Sequence, residues 1–399
     1  MQFLFLIISS ILLFFLVFPF ATVLFSRLFK EDVATDEVNQ TFDFACIITA
    51  YKNVAITEHL VQSLLKQSHT NFHIYLVADD CNPADFSLAD ERLSVFYPNP
   101  PLRLKAKSII HAIQNFIRPH DYTVVLDADN LAHPDFLKEI NIYANQGYRS
   151  IQGQRTAKNL DTLYACADST GEFYKNYVER YVPYLIGSSS VISGSGMAVK
   201  TDLYQAYLNS PEIQMGKELW KKMLQEDKIL QNFLLRQDEK IVFAKNAIVY
   251  DEKVTTADQV ETQRSRWLYS YFQNLPNSSG LIWQGITNLS WNQLVFGIIT
   301  IAPPLFILLF SSVAVMLIGL LINPYLSIWL FMGLGIFVVN IFWSLYLSEV
   351  PNQIWNAIWG IPLFVWKQFT ALFKMSNPNK NFKHSEHSKA VKIEEVLND

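Results

Sequence analysis

Residues 3–25 form an apolar run without a single ionisable side chain, and this run restricts the possible folds more than any other feature of the sequence. A helix of this length crosses the roughly 30 Å hydrocarbon layer of a bilayer. No Lys or Arg precedes the run and no small-residue cleavage site follows it, which favours a retained anchor over residues 1–26 rather than a signal peptide. Arg27 and Lys30 come directly after it. By the positive-inside tendency, the next domain is predicted to lie in the cytoplasm.

A second apolar region follows much later in the chain. Residues 294–321 and 325–347 are charge-free and separated by a turn-like Asn-Pro pair, so residues 291–348 are predicted to form two transmembrane helices. The Pro303-Pro304 pair is expected to kink the first of them. We therefore expect a multi-pass protein of the cytoplasmic (inner) membrane.

The stretch 354–372 differs from these spans because polar residues interrupt it and three tryptophans give it the character of a membrane interface. It predicts an interfacial amphipathic helix over residues 352–374. Residues 375–399 are polar and include several lysines, which favours a cytoplasmic tail.

Charge and cysteine content exclude several classes of protein. The net charge of −4 gives no strong field that attracts nucleic acid. The three cysteines lack C-x-x-C spacing, so neither a disulfide framework nor a zinc site is indicated. No acid or base lies inside the apolar spans, which argues against an ion-coupled transporter.

Between the two apolar regions, a linker over residues 27–41 leads to a domain predicted for residues 42–290. Apolar strand-like runs alternate there with helical patterns, which predicts an α/β domain with a mostly parallel sheet. The predicted strands are 44–49, 72–78, 93–96 and 122–126, and the predicted helices include 59–66 and 104–116. Ligands of such sheets bind at the carboxyl ends of the strands, so the polar residues that follow each strand are candidates for the site.

Asp127 and Asp129 flank a small alanine at the end of the last of these strands. Two carboxylates in this position suit Mg²⁺ or Mn²⁺, which take a few carboxylates and complete their shell with phosphates and waters. A solvated turn explains the pair equally well. Asp79 and Asp80 end the second strand and are suited to a base or a ribose, although a surface turn is again the alternative.

Three further groups carry chemistry. Asp227, next to Glu226 at the start of a helical pattern, is either a capping residue or a general base for an attacking hydroxyl. Lys105 is either a phosphate counter-charge or part of a solvated helix face. The run 263–267 combines an amide, two guanidinium groups and an indole, which suit a diphosphate and a sugar face or, alternatively, a membrane interface.

The order of these groups resembles the family 2 glycosyltransferases, most closely the membrane-integrated branch that includes cellulose, hyaluronan and poly-N-acetylglucosamine synthases. That pattern has a strand-end acid, a D-x-D, an E-D pair and a Q-x-x-R-W, in this order. The corresponding residues here are Asp79, Asp127-Ala128-Asp129, Glu226-Asp227 and Gln263-Arg264-Ser265-Arg266-Trp267. Also similar are Gln152-Gly153-Gln154-Arg155 and Gly194-Ser195-Gly196-Met197.

The resemblance implies a Rossmann-like GT-A fold, a nucleotide-sugar donor that is usually a UDP-sugar, a divalent cation and inversion at the anomeric carbon. It makes Asp227 the catalytic base and Asp127 and Asp129 the metal ligands. The donor-binding residues that it implies are Ala50, Tyr51, Asp79, Asp80, Lys105 and Asp127. The residues that it implies for acceptor and diphosphate are Gly194, Ser195, Gly196, Met197, Glu226, Gln263, Arg264, Arg266 and Trp267.

The expected activity is transfer of the sugar to a lipid, lipid-linked or glycan acceptor at the membrane, with accessory envelope-biosynthesis proteins as further partners. A processive exopolysaccharide synthase is the first alternative, although the short membrane region favours it less. A non-catalytic sugar-binding scaffold or transporter is the alternative from another class.

Overall fold

A computed structural model describes residues 2–31, 39–219, 225–373 and 391–398. The chain divides into two compact units. The membrane-helix unit comprises the described residues of Met1–Glu31, Cys166–Ser188 and Thr255–Met375. The sheet unit comprises those of Asp32–Ala165, Ser189–Val254 and Ser376–Asp399.

The strands of the sheet unit are named in chain order. They are β1 Phe44–Tyr51, β2 Phe72–Asp79, β3 Leu93–Phe96, β4 Tyr122–Asp127, β5 Leu131–Ala132, β6 Ser150–Ala157, β7 Met197–Lys200 and β8 Ile241–Asp251. All four strands predicted from the sequence are present, and the structure extends three of them by one or two residues. Side chains of β2 are buried along its whole length, as expected of a central strand covered on both faces.

The helices are likewise named in chain order. They are α1 Gln2–Ser26, α2 Glu58–Leu65, α3 Lys105–Gln114, α4 Phe136–Asn145, α5 Leu163–Lys175, α6 Val182–Leu185, α7 Thr201–Leu208, α8 Pro211–Leu219, α9 Glu226–Arg236, α10 Ala257–Thr287, α11 Trp291–Ile301, α12 Leu305–Ile322, α13 Pro324–Leu347, α14 Asn352–Ala357, α15 Ile361–Phe373 and α16 Ile393–Asn398. A π-helix, Asn176–Tyr181, joins α5 to α6.

The eight strands form one mixed sheet in the order β3-β2-β1-β4-β7-β6-β8-β5. Strands β3, β2, β1 and β4 are parallel, and so are β6 and β8. The short strand β7 lies between these two sets and is antiparallel to both of its neighbours. The sheet is therefore less uniformly parallel than the sequence predicts, because β7 is antiparallel to β4 and β6, and β5 is antiparallel to β8.

Strand register brings the predicted polar strand ends to one edge of the sheet. Tyr51 of β1 pairs with Asp79 of β2, and Thr49 of β1 pairs with Asp127 of β4. Since these strands are parallel and adjacent, their carboxyl ends open onto the same crevice. The polar strand ends therefore lie together at one edge of the sheet, as the sequence predicts.

Three helices of the membrane-helix unit, α1, α12 and α13, are long and apolar enough to cross a membrane. They pack on one another through a cluster of buried apolar side chains. This cluster contains Leu12 and Leu16 of α1, Leu308 of α12, and Leu330 and Phe337 of α13. Each of the three helices lies within an apolar run that the sequence predicts as a membrane segment, and their position in a membrane stays a prediction.

The apolar stretch 294–321 forms two helices rather than one kinked helix. Helix α11 ends at Ile301, and α12 begins at Leu305. Ala302 and Pro304 both have extended backbone, with ψ of 134° and 137°. Adjacent prolines remove two amide donors, and a residue before proline disfavours the helical region, so the chain breaks here instead of bending.

The predicted interfacial helix is also divided. Helices α14 and α15 are separated by the 3-10 turn Ile358–Gly360, and Trp359 in that turn is 90% exposed. Its position at a membrane interface stays a prediction. Residues 32–38 of the predicted linker, residue 374 of the predicted interfacial helix, and residues 375–390 and 399 of the predicted tail lie outside the described residues.

Gly153 of β6 is a position where the fold leaves no room for a side chain. A β-carbon there would lie 2.6 Å from the carbonyl oxygen of Ala247 and 2.8 Å from that of Gly196. The register of β6 against β8 shifts at this point, as glycine bulges allow. We expect Gly153→Ala to lower the free energy of unfolding by about 1–3 kcal/mol, because the backbone must move apart.

Chemical denaturation of the detergent-solubilised protein measures this effect. Gly171→Ala is the matched control, because nothing lies within 4 Å of a β-carbon at that helical position. This control is expected to be neutral or stabilising. An unchanged transition for Gly153→Ala would contradict the steric account.

Candidate active site

Asp127 lies at the end of β4, where its backbone is held from two sides. Its amide donates to Asn130 Oδ1 at 3.0 Å and to Ser195 Oγ at 3.1 Å, and Ser195 in turn donates to Asn130. The turn after β4 is thus fixed by a small polar network rather than left as a solvated loop. The Asp127 carboxylate itself is 34% exposed and faces the crevice.

Lys105, the first residue of α3, places its ammonium among oxygen atoms. Nζ lies 2.6 Å from Asp127 Oδ1, 2.9 Å from the Gly194 carbonyl and 3.5 Å from Glu226 Oε1. Burial disfavours the charged amine, but the carboxylates of Asp127, Glu226 and Asp227 outweigh this effect and raise the pKa of Lys105. The lysine therefore stays charged and neutralises part of an acidic cluster.

Glu226 and Asp227 open α9, as the sequence predicts, but their surroundings differ. The Glu226 side chain is 15% exposed and faces Lys105, and burial raises the pKa of Glu226 to about 7. Asp227 is more open, at 26% exposure. Its Oδ2 would lie only 3.6 Å from a β-carbon at Gly194. Asp227 is thus the more accessible carboxylate of the pair.

The Gly194 turn, residues 193–196, lies directly before β7 and faces both Lys105 and Asp227. Gly194 has φ of +82°, a conformation that favours glycine. Of the residues predicted to line an acceptor, Gly194 faces Asp227, whereas Ser195 and Met197 are buried at 0% and 2% exposure. Met197 pairs with Val125 and Gln152 in the sheet.

Gln152 of β6 anchors this turn. Its amide group donates to the carbonyls of Ser195 and Gly153 at 3.0 and 2.8 Å, and its oxygen accepts the Ser193 amide at 3.0 Å. The side chain is fully buried. The resemblance to the family includes Gln152 without giving it a role, and the sequence gives none to Asn130. Both side chains are buried and hydrogen-bonded, as buried polar groups generally are.

The residues predicted at the first two strand ends are placed differently from one another. Asp79 is buried, and its two carboxylate oxygens accept the amides of Leu102 and Arg103 at 2.7 and 2.5 Å. It therefore shapes the loop that leads into α3. Asp80 is exposed with φ of +56°, while Ala50 is buried and Tyr51 is partly exposed.

Lys158 and Asp251 also form hydrogen bonds with the turn after β4. Lys158 Nζ donates to the Asp129 carbonyl at 3.1 Å, and Asn130 Nδ2 donates to Asp251 Oδ1 at 3.4 Å. Asp251 also pairs with Arg155 and Lys253, at 3.3 and 3.0 Å. Buried charges of this kind persist when they are paired, and here they fix the backbone on which Asp129 is carried.

The run 263–267 lies in α10 of the membrane-helix unit. Arg264 forms an ion pair with Asp168 and stacks over the Trp267 ring at 4.3 Å. Lys175 lies 5.6 Å from the same ring, and burial lowers the pKa of both Lys175 and Arg266. The Trp267 indole remains 38% exposed. An exposed indole among cations suits a polar or anionic ligand with a sugar face.

The carboxylate pair at the end of β4 fits a divalent cation. Asp127 already pairs with one cation, the Lys105 ammonium. Asp129 lies in the turn after β4, whose backbone forms hydrogen bonds with the side chains of Lys158 and Asn130. Hard oxygen donors on a rigid strand end match Mg²⁺ and Mn²⁺. No group of three or more metal-ligating side chains is present in the described part of the chain.

The mixed sheet, with acids at the carboxyl ends of its parallel strands, defines a GT-A glycosyltransferase domain. The chain belongs to the family described as "Glycosyltransferase like family 2", whose model matches residues 42–270. The match covers more than half of the sequence and includes Asp79, Asp127, Asp129 and Asp227. No curated protein matches the sequence significantly.

One solved structure shares the fold, and a second is more distantly similar. The mannosyltransferase PcManGT from Pyrobaculum calidifontis, in complex with GDP-Man and Mn²⁺, has a TM-score of 0.55 at 11% identity. The match covers 92% of this chain and 100% of that one. S. aureus TarS 1–349, in complex with UDP, has a TM-score of 0.37 at 13% identity, covering 56% of this chain and 63% of that one.

Proposed function

We propose that this protein is an inverting glycosyltransferase of the membrane-integrated branch. It moves a sugar from a nucleotide-sugar, with a UDP-sugar as the expected donor, to a lipid, lipid-linked or glycan acceptor at the cytoplasmic face of the membrane. The observation that carries the proposal is the cluster of Asp127, Glu226 and Asp227 around Lys105 and the Gly194 turn. A glycosyltransferase that shares the fold was solved with GDP-Man and Mn²⁺.

Asp227 acts as the general base in this proposal. It takes the proton of the acceptor hydroxyl while that oxygen forms a bond to the anomeric carbon and the bond from this carbon to the nucleoside diphosphate breaks. Two features support the role: Asp227 is the more exposed acid of its pair, and it borders the Gly194 turn. One displacement of this kind inverts the anomeric configuration.

The leaving diphosphate needs positive charge. Asp127 and Asp129 are proposed to hold Mg²⁺ or Mn²⁺, whose chemistry is to neutralise charge on the phosphate oxygens. Lys105 supplies a further positive charge at the same place. Asp79 contributes indirectly, because it fixes the loop that positions α3 and hence Lys105.

The acceptor is proposed to bind near the run 263–267. Trp267 offers an exposed indole for a sugar ring, and Arg264, which is paired with Asp168, stacks on that indole and fixes its orientation. The three candidate membrane helices support an acceptor that is delivered from the membrane. A lipid or lipid-linked acceptor agrees best with this combination.

Membranes that contain the protein, supplied with labelled UDP-sugars and GDP-mannose, test the proposal. We expect label in lipid-extractable product from one donor, dependent on Mn²⁺ or Mg²⁺ and abolished by EDTA. High-molecular-weight labelled polymer would instead show a processive synthase. Absence of transfer from every donor, with nucleotide binding retained, would favour a non-catalytic sugar-binding protein.

A further inference from the structure

The Lys105 ammonium has the surroundings of a bound cation. Its three partners are carboxylate oxygens of Asp127 and Glu226 and the carbonyl oxygen of Gly194. Of the three N–H donors of the ammonium, two are accepted by Asp127 and Gly194, and Glu226 Oε1 lies 3.5 Å away as an ion-pair partner. Carboxylate and carbonyl oxygens are also the ligands that hard divalent cations select. The lysine thus occupies oxygen atoms that a metal ion would use.

We propose that Lys105 is a built-in counter-ion that holds Asp127 until the donor arrives, so that divalent-cation binding requires Lys105 to move from Asp127 to the donor diphosphate. The inference rests on the proposed function, since Asp127 is a metal ligand only there. It adds an order of events: cation and nucleotide bind together, and neither binds well alone.

Geometry makes the two cations exclude each other. Nζ lies 2.6 Å from Asp127 Oδ1, and Mg²⁺ binds carboxylate oxygens at about 2.0–2.1 Å. Both positive charges cannot share that oxygen without strong repulsion. Binding of a metal ion through Oδ1 therefore requires Lys105 to leave that oxygen.

Lys105 is able to leave. Its side chain is 25% exposed and is attached through a flexible four-carbon stem at the first turn of α3. If Lys105 left Asp127 without gaining a new partner, however, its charge would be unpaired in a partly buried site. A diphosphate supplies that partner. Displacement of Lys105 is therefore unfavourable for a metal ion alone and favourable for a metal ion that arrives with a nucleotide.

The exchange is tested by titrating the full chain in detergent with Mn²⁺ in the absence of nucleotide. Electron paramagnetic resonance measures the concentration of free Mn²⁺. Lys105→Met and Lys105→Gln are expected to bind Mn²⁺ about tenfold more tightly than the wild type, a coupling of ordinary size. Lys105→Arg keeps the charge and is expected to bind as weakly as the wild type. Lys107→Met is the matched control, because Lys107 lies on the same helix and is exposed.

The same titration with UDP measures the coupling directly. UDP is expected to tighten Mn²⁺ binding to the wild type by about tenfold, and to tighten it much less in Lys105→Met. The proposal is overturned if Lys105→Met binds Mn²⁺ no more tightly than the wild type, or if UDP increases the Mn²⁺ affinity of both proteins by the same factor. Neither readout uses sugar transfer, so a protein that transfers no sugar but shows the exchange would refute the proposed function alone.

Discussion

Asp227→Asn is expected to lower kcat for sugar transfer by about 10²–10⁴-fold, the usual contribution of a positioned general base. Asparagine has the same shape but cannot take a proton from the acceptor hydroxyl at neutral pH. Because Lys105 is paired with Asp127 and Glu226 rather than with Asp227, the donor site should keep its structure. Nucleotide affinity is therefore expected to stay near that of the wild type.

Two further variants make this result specific. Asp238→Asn, an exposed acid just beyond the far end of α9, is the matched control and is expected to retain full activity. Glu226→Gln is expected to lose less than Asp227→Asn, because Glu226 faces Lys105 and the more exposed acid is Asp227. The measurement is steady-state kinetics with isothermal titration of nucleotide. The reverse order of the two losses would assign the base to Glu226.

Asp127→Asn and Asp129→Asn are each expected to lower transfer by about a hundredfold or more. A divalent cation supplies several kcal/mol of transition-state stabilisation, and each 1.36 kcal/mol corresponds to a factor of about ten in rate. Rates measured across a Mn²⁺ series check the expectation, since a weakened metal site requires more Mn²⁺ to reach its maximum. Glu91→Gln removes an exposed acid from the same unit and is the control.

The two carboxylates are expected to differ in one respect. Asp127→Asn removes the principal partner of Lys105, whereas Asp129→Asn leaves that ion pair intact. The nucleotide-free Asp127→Asn protein is therefore expected to unfold at a lower temperature than the wild type, because Lys105 loses its nearest carboxylate. Full activity of either variant in the presence of EDTA would contradict the metal assignment.

Local patterns in the sequence were sufficient to predict much of the sheet and its site. Apolar runs of four to eight residues placed β1 to β4, and Asp127 and Asp129 follow from the end of one such run. Helical spacing of apolar residues placed the start of α9 at Glu226 and Asp227. These predictions succeeded because periodicity and strand ends are properties of neighbouring residues.

Long-range contacts account for what the sequence did not predict. Strand β7 enters the sheet between β4 and β6 by pairing with residues about seventy and about forty-five positions earlier in the sequence. Gln152 organises the Gly194 turn, and Asp79 binds the amides of a later loop. Each contact joins residues distant in the chain, and nothing in the spacing of neighbours reveals it.

The sequence by itself determined the apolar helices, the α/β alternation and the residue types available for sugar transfer, because these depend on composition and local spacing. The burial of Ser195 and Met197 and the ion pair of Lys105 with Asp127 are visible only in the folded chain. A buried side chain and an ion pair both depend on groups that are distant in the sequence and become neighbours only when the chain folds.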